Sequence, residues 1–164
     1  MEFIMTIGEV ACAMIEYFGK DRRRINHFMK VYTLADTIAA GEGLPARERE
    51  VLGVSALMHD IGIKVSEEKY NSCSGRYQEL EGPAEAKKIL DRLGADKELS
   101  ARVCWLIAHH HTYSSIDADD YQILVEADFL VNLDEDNESA EAVKNVRRRI
   151  FRTKTGTKLL DAMF

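Results

Sequence analysis

The five histidines of this chain, together with two of its aspartates, form a set that could ligate metal ions. The central pair is His59-Asp60, in which an imidazole and a carboxylate are adjacent in sequence. His27 precedes the pair, while the triplet at 109–111 and then Asp128 follow it. Neutral imidazole and carboxylate ligands together suit first-row divalent cations. These residue types therefore predict a metal site, provided that the fold brings the separate segments together.

Helical spacing indicates that several of these side chains point into the core. His27, His110 and Asp128 each continue an apolar stripe at helical steps, which is the buried face of an amphipathic helix. The stripe residues are Val31, Leu34 and Ile38 for His27, Leu99, Val103 and Leu106 for His110, and Leu124 and Val131 for Asp128. A single inward histidine is usually a hydrogen-bonded core residue. A buried carboxylate, however, needs a metal, a hydrogen-bond donor or an arginine as its partner, so the set as a whole favours a metal site.

The elements that must position these residues are predicted to be helices throughout. Thr6 and Glu9 form a capping-box pattern that predicts the start of the first helix. Apolar periodicity and the placement of Gly and Pro predict the others. They are expected at about 22–40, 45–60, 83–93, 98–111, Asp117 or Asp119 to 133, 139–151 and 157–164. No strand-like alternation persists, so the predicted fold class is all-α, as a single domain over 1–164.

Residues 64–82 are polar and lack helical periodicity. This stretch predicts a long loop, and loops of that length tend to be lids or binding segments. Pro83 then predicts the first turn of the next helix, where its missing N–H costs nothing.

Composition limits the class of protein and the kind of partner. The chain has 164 residues and a formal charge of −6, from 22 basic and 28 acidic side chains. This balance argues against a nucleic-acid polymer as partner. The three cysteines include no CxxC pair, so neither a disulfide framework nor a thiolate zinc site is indicated. With no signal-peptide pattern and no apolar run of membrane length, we expect a cytoplasmic protein that does not engage a membrane.

Four segments in this order resemble the motifs of the HD-domain superfamily of metal-dependent phosphohydrolases. They are Arg24-Ile25-Asn26-His27, Ala56-Leu57-Met58-His59-Asp60-Ile61-Gly62, Leu106-Ile107-Ala108-His109-His110-His111 and Glu126-Ala127-Asp128-Phe129-Leu130. The match covers roughly 27–133, within a predicted core of about 22–133 that two helices at about 139–164 follow. The resemblance implies an all-α helical bundle of the HD type with the metal between helices. It also implies the ligands of a first metal ion, which are His27, His59, Asp60 and Asp128.

The chain departs from the fuller family pattern at one place. Many two-metal members have a further histidine after the loop, whereas the corresponding segment here is Gln78–Pro83. Glu81 could take that position as an oxygen ligand. Alternatively, His109, His110 or His111 could hold a second metal ion or contact phosphate, and the inward stripe favours His110. The resemblance therefore implies one ion and leaves the second open.

The function that the resemblance implies is hydrolysis of a small phosphate ester, with a nucleotide as one candidate substrate. One or two divalent ions per chain, drawn from Mn, Fe, Co, Ni, Zn and Mg, would serve as cofactors. Asp60 would orient the attacking water, and His110 would stabilise the phosphate or protonate the leaving oxygen. Lys64, just after Gly62, is expected to reach the phosphate, with a solvated loop charge as the alternative. The alternative is a catalytically reduced HD-type module that binds nucleotides or regulates a partner while retaining the metal site. A helical interaction protein with a structural ion is a third hypothesis, and formation of a homo-oligomer is left open.

Overall fold

The computed structural model describes residues 4–164, and this part of the chain contains nine α-helices and no β-strand. The helices are α1 (Ile7–Phe18), α2 (Arg22–Glu42), α3 (Ala46–Met58), α4 (Gly62–Tyr70), α5 (Gly75–Arg92), α6 (Lys97–Ile107), α7 (Asp119–Glu135), α8 (Ala140–Arg149) and α9 (Lys154–Met163). The predicted all-α fold class is confirmed. None of the described helices is both long and apolar enough to cross a lipid bilayer.

Side chains at the first turns define where several helices begin. α1 starts at the predicted capping box, in which the Thr6 backbone N–H donates to Glu9 Oε2 at 2.7 Å and the Glu9 N–H donates to Thr6 Oγ1 at 3.3 Å. The carboxylates of Asp21 and Asp96 accept a backbone N–H at the starts of α2 and α6. These caps satisfy N–H groups that have no partner inside the helix. The register of α2, which carries His27, is thereby anchored at its first turn.

Helices α2, α3 and α7 form the centre of the bundle. Residues 51–58 of α3 are all buried, as expected for a helix segment that is apolar around its whole circumference. α2 packs extensively against both α3 and α7. The hydrophobic cluster continues from these helices into α1, α5, α6 and α9. This packing brings the second turn of α2, the end of α3 and the middle of α7 next to one another.

The prediction of a loop at residues 64–82 is wrong, because most of this stretch is helical. α4 covers Gly62–Tyr70 and α5 begins at Gly75, so only residues 71–74 connect them. Pro83 accordingly lies inside α5 rather than in its first turn. The polar sequence belongs to two helices that pack against each other.

The faces that these two helices bury explain the error. Besides Ile63, α4 buries Gly62 and Ser66, and over the same stretch α5 buries Gln78 and Gly82. Glycine and polar residues at the buried positions leave no apolar stripe at helical spacing. A prediction that depends on apolar periodicity therefore does not detect such helices.

Gly62→Ala is expected to lower the free energy of unfolding by about 1–3 kcal/mol, the usual cost of overpacking. A Cβ at this position would lie 2.6 Å from the Gln78 carbonyl oxygen and 2.9 Å from the Gly82 nitrogen, and backbone atoms have little room to move. Urea titration followed by circular dichroism measures the effect. Gly8→Ala is the matched control, since a Cβ there meets only Thr6 Oγ1 at 3.9 Å. The control should leave stability unchanged or raise it by up to ~1 kcal/mol, and equal losses in both variants would contradict the packing argument.

Two further predicted boundaries are corrected. The helix predicted at 98–111 ends at Ile107, so the histidine triplet lies in the turn after α6. Neither Asp117 nor Asp119 caps α7, whose N-cap position makes no side-chain hydrogen bond. The carboxylate of Asp117 is instead paired with the Arg102 guanidinium at 2.8 Å. A charge-assisted pair with arginine thus takes the oxygen atoms that would otherwise accept the N–H groups of the helix.

Candidate metal centre

The pair His59-Asp60 lies in the turn between α3 and α4, directly after the last residue of α3. This location, at a helix end or just beyond it, agrees with the sequence-based expectation. His27 lies on the second turn of α2, and Asp128 lies near the middle of α7. Because α2 packs against both α3 and α7, these side chains from distant parts of the sequence converge at one place.

The converging ligand atoms are spaced as the ligands of one metal ion would be. His27 Nε2 lies 3.3 Å from His59 Nε2 and 3.1 Å from Asp128 Oδ1. Its distance to Asp60 Oδ2 is 3.3 Å. His59 Nε2 lies 3.4 Å from Asp60 Oδ2 and 3.3 Å from Asp128 Oδ1. Ligands held ~2.1 Å from a divalent ion are about 3.0–3.4 Å apart for angles between a right angle and the tetrahedral angle, so the atoms of His27, His59 and Asp60 form a first group that could hold a single ion. Asp128 Oδ1 lies beside both imidazoles of this group.

The far side of each imidazole determines which nitrogen faces the cluster. His27 Nδ1 is 2.9 Å from Glu135 Oε1, and His59 Nδ1 is 2.7 Å from the Ala56 carbonyl oxygen. Both partners are acceptors, so each Nδ1 carries a hydrogen and each Nε2 of a neutral ring carries a lone pair. Two imidazole lone pairs and two carboxylates then face one another. Such a buried group of acceptors requires a cation, either protons or a metal ion.

The pKa values in the cluster show the same demand for positive charge. Burial disfavours a charged His59, yet Asp60 and Asp128 raise its pKa well above the ordinary histidine value. Burial also disfavours the carboxylate of Asp60, but His59 and His110 hold its pKa well below the ordinary aspartate range. For His27, burial lowers the pKa, but the hydrogen bond with Asp128 and the charges of Asp60 and Asp128 together raise it above the ordinary histidine value. The two carboxylates thus stay ionised and favour a cation between them and the imidazoles.

Asp60 also belongs to a second group that could hold a metal ion, together with His110 and His111. His110 Nδ1 is 2.8 Å from the Ile107 carbonyl oxygen, which leaves Nε2 as the acceptor. That Nε2 is buried, has no hydrogen-bond partner among the described residues, and lies 3.6 Å from Asp60 Oδ1. Asp60 therefore turns one carboxylate oxygen toward each group and would be the residue that two such groups share.

The members of the histidine triplet point in different directions because the chain turns after α6. His111 Nε2 is 3.0 Å from Gln78 Oε1. Burial, followed by the nearby His110, lowers the pKa of His111 to about 4, so its ring is neutral at physiological pH. His109 instead stacks on Trp105 with ring centroids 4.0 Å apart, and its Nδ1 is 2.6 Å from the Trp105 carbonyl oxygen. The structure thus brings His110 and His111 to Asp60, and it directs His109 elsewhere.

Two other side chains that the sequence suggested for the site are engaged with other partners. Lys64 Nζ lies 5.2 Å from the centroid of the Tyr17 ring and 3.4 Å from the Tyr17 carbonyl oxygen. The Glu81 carboxylate accepts hydrogen bonds from Lys69 at 2.8 Å and from the Tyr70 hydroxyl at 2.7 Å. Neither residue belongs to the two groups that could hold a metal ion in residues 4–164. Lys64 therefore contacts α1, and Glu81 joins α5 to α4.

The cluster borders a cleft of about 510 Å³. Five of the residues that line this cleft are acidic, and two, Arg23 and Arg24, are basic. The Arg24 guanidinium is held by Asp21 at 3.0 Å and by Glu67 at 2.5 Å. Arg23 is exposed and has no ion pair within the described part of the chain. An anionic ligand in the cleft would therefore meet one uncommitted arginine and any cation that the cluster holds.

Sequence reasoning missed three residues of this site, although each lies in phase with a residue that it identified. Asn132 follows Asp128 by one helical turn, and its Nδ2 donates to Asp128 Oδ1 at 3.0 Å. Glu135 follows Asp128 by two turns and contacts His27. Arg23 precedes His27 by one turn and lines the same cleft. Residues at these spacings share a helix face, so extending the phase from the candidate ligands would have identified all three.

The fold and the cluster together define an all-helical protein with a His/Asp group suited to divalent metals between its helices. The family model for the HD domain matches residues 24–152, and the chain belongs to this family. The match begins in α2 and extends beyond the predicted core into the segment that follows α8.

A solved structure shares this fold. The crystal structure of a predicted HD superfamily hydrolase from an uncultured Thermotogales bacterium superposes with a TM-score of 0.68 and 26% sequence identity. The similarity covers 99% of this chain and 87% of that one. No curated protein sequence gives a significant match.

Proposed function

We propose that this protein is a metal-dependent phosphohydrolase that acts on a small phosphate ester, with nucleotides as the first candidate substrates. The observation that carries the proposal is the convergence of imidazole nitrogens and carboxylate oxygens at 3.1–3.4 Å beside an open cleft. Membership in the HD domain family supports it, as does the likeness to a protein described as a predicted HD superfamily hydrolase. The proposed ligands of the first ion are His27, His59, Asp60 and Asp128.

A second ion, if bound, is proposed to use Asp60, His110 and His111. Imidazole and carboxylate ligands accept Mn, Fe, Co, Ni and Zn, and Mg where oxygen ligands dominate. Lys64, Glu81 and His109 have other partners and take no part in the proposal.

A bound divalent ion would supply Lewis-acid polarisation of a phosphoryl oxygen and a more acidic water. The side chains would position the reactants around it. Asp60 would accept a hydrogen bond from the attacking water and orient it toward phosphorus. His110 Nε2 is buried and lies 3.6 Å from Asp60 Oδ1. When only one ion is bound, a protonated His110 would act as general acid and donate its proton to the leaving oxygen. Arg23 would bind a phosphate oxygen in the cleft, a task suited to the planar guanidinium.

Release of inorganic phosphate tests the proposed activity. Metal-free protein is reconstituted with Mn, Co, Ni, Zn or Mg, and each form is assayed with nucleoside mono-, di- and triphosphates and with simple phosphomonoesters. Release above the metal-free background with at least one pairing supports the proposal. No release from protein that demonstrably holds metal overturns it, and nucleotide binding without product in a calorimeter would then indicate the regulatory module.

Arg23→Ala is expected to raise KM for the best phosphate ester by about tenfold, equivalent to ~1.4 kcal/mol of binding free energy, with little change in kcat. Arg23 lines the cleft and has no competing carboxylate, so its loss removes attraction for the substrate in both the ground state and the transition state. Steady-state kinetics measures the change. Arg22→Ala is the matched control, because Arg22 is also exposed and does not line the cleft. A similar rise in KM for both variants would show that only general charge matters.

A further inference from the structure

The three imidazoles nearest Asp60 differ in what their Nδ1 atoms contact. His59 and His110 each direct Nδ1 to the backbone carbonyl oxygen of the residue three positions earlier, at 2.7 Å and 2.8 Å. His27 Nδ1 instead lies 2.9 Å from a carboxylate oxygen, Glu135 Oε1. A backbone carbonyl is a neutral acceptor whose position the helix determines. A carboxylate is charged and polarises the ring more strongly.

Glu135 Oε1 has a second partner, Lys30, whose charge weakens the effect of the carboxylate on His27. Lys30 Nζ lies 3.2 Å from Glu135 Oε1, and Lys30 follows His27 by one turn of α2. The ammonium group therefore shares the oxygen that His27 uses and draws negative charge away from the imidazole. Of the three histidines, His27 is the one whose Nδ1 partner is a charged side chain, and that partner is itself paired with a second charged side chain.

We propose that Glu135 is a positioning residue for His27: it holds Nδ1–H, keeps Nε2 directed at the cluster and raises the affinity of the centre for a divalent ion. Lys30 opposes Glu135, because its positive charge weakens the carboxylate and repels the ion. This inference rests on the metal centre proposed above and does not depend on which substrate is hydrolysed.

A purely structural role for the Lys30–Glu135 pair makes a different prediction. In that case the pair would only join α2 to α7, and removing either partner would have the same effect. The side chain of Lys30 is 48% exposed and that of Glu135 is 17% exposed. Because solvent reaches the Lys30 end of the pair, we expect the pair to contribute little to stability and the fold to survive the loss of either residue.

The direction in which metal affinity changes in each variant distinguishes the positioning role from a purely structural one. Isothermal titration of the metal-free protein with Co²⁺ or Mn²⁺ alone is expected to give a Kd about 10–100-fold weaker for Glu135→Ala, the range found when a partner of a metal-binding histidine is removed. Glu135→Gln keeps an oxygen acceptor without the charge and should lose less. Lys30→Met should bind the ion at least as tightly as the wild type. Weaker binding in both Lys30→Met and Glu135→Ala overturns the proposal in favour of a structural pair.

Asp134→Ala is the matched control for charge, because Asp134 precedes Glu135 on α7 and is exposed, without a described contact to His27. Its Kd should stay within about twofold of the wild type, since an exposed charge is well screened. A loss as large as that of Glu135→Ala overturns the proposal, because any nearby negative charge would then serve.

Proton NMR of the Co²⁺ protein gives a readout independent of affinity. The exchangeable Nδ1–H protons of the ligating histidines are shifted by the ion, and we expect the His27 signal to disappear by solvent exchange in Glu135→Ala. The His59 signal should persist, because its acceptor is the backbone oxygen of the buried Ala56. Retention of both signals overturns the inference. If the wild type binds no metal, the metal centre itself fails along with it, whereas unchanged affinity in Glu135→Ala refutes only the role of Glu135.

Discussion

Asp60→Asn is expected to abolish metal binding in both groups and to lower phosphate release by about 10³-fold or more, equivalent to ~4 kcal/mol of activation free energy. Among the described residues, Asp60 alone belongs to both groups that could hold an ion. Its Oδ2 lies 3.3 Å from His27 Nε2, while its Oδ1 faces His110 Nε2 at 3.6 Å. An amide of the same size keeps the packing but brings no negative charge to the ion, and its NH₂ group cannot act as a ligand.

Metal content by elemental analysis and phosphate release by steady-state assay check this expectation in the same protein preparation. Asp136→Asn is the matched control, since Asp136 lines the same cleft and is exposed, outside both groups. The control should keep its metal and most of its activity. An Asp60→Asn variant with wild-type metal content and wild-type turnover would refute the central position of Asp60.

Glu126→Ala is expected to lower the free energy of unfolding by about 3–5 kcal/mol, because several donors would lose a buried acceptor. Glu126 is fully buried on α7. Its Oε1 accepts the backbone N–H groups of Arg152 at 2.7 Å and Thr153 at 2.9 Å, and also Gln122 Nε2 at 2.7 Å. Thr153 in turn caps α9 by accepting the Gly156 N–H. One carboxylate therefore joins α7 to the start of α9.

Urea titration at a fixed metal concentration measures the loss. Glu126→Gln retains a carbonyl oxygen for the backbone donors and should cost less than the alanine variant. Glu138→Ala, at an exposed position after α7, should change stability by less than about 0.5 kcal/mol. A loss below ~1 kcal/mol in Glu126→Ala would mean that water replaces the carboxylate at little cost.

Apolar periodicity was informative where a candidate lies within a regular helix. His27 and Asp128 were expected to face inward from their neighbours on α2 and α7, and both are buried. His110 is buried as well, but it lies beyond the end of α6. The turn and the hydrogen bond of His110 to the Ile107 carbonyl oxygen therefore set the orientation of this side chain. The prediction had instead assumed that α6 continues through His110.

The same method failed where the buried face of a helix lacks apolar residues. α4 and the start of α5 pack through Gly62, Gly82 and polar side chains, so the segment resembled a loop in sequence. The close approach of two backbones is favourable only when both helices are present together. A property that depends on the partner helix cannot be recognised from either segment alone.

The amino-acid sequence by itself determined the all-α class and the set of imidazoles and carboxylates available for a metal, because periodicity and ligand chemistry are properties of short segments. Only the tertiary structure decided that Asp60 faces both groups, that His111 approaches Asp60 while His109 stacks on Trp105, and that Glu135 holds the far side of His27. These features are distances between segments that lie far apart in sequence. They are set by how α2, α3, α6 and α7 pack, to a fraction of an ångström, and local sequence patterns do not encode that packing.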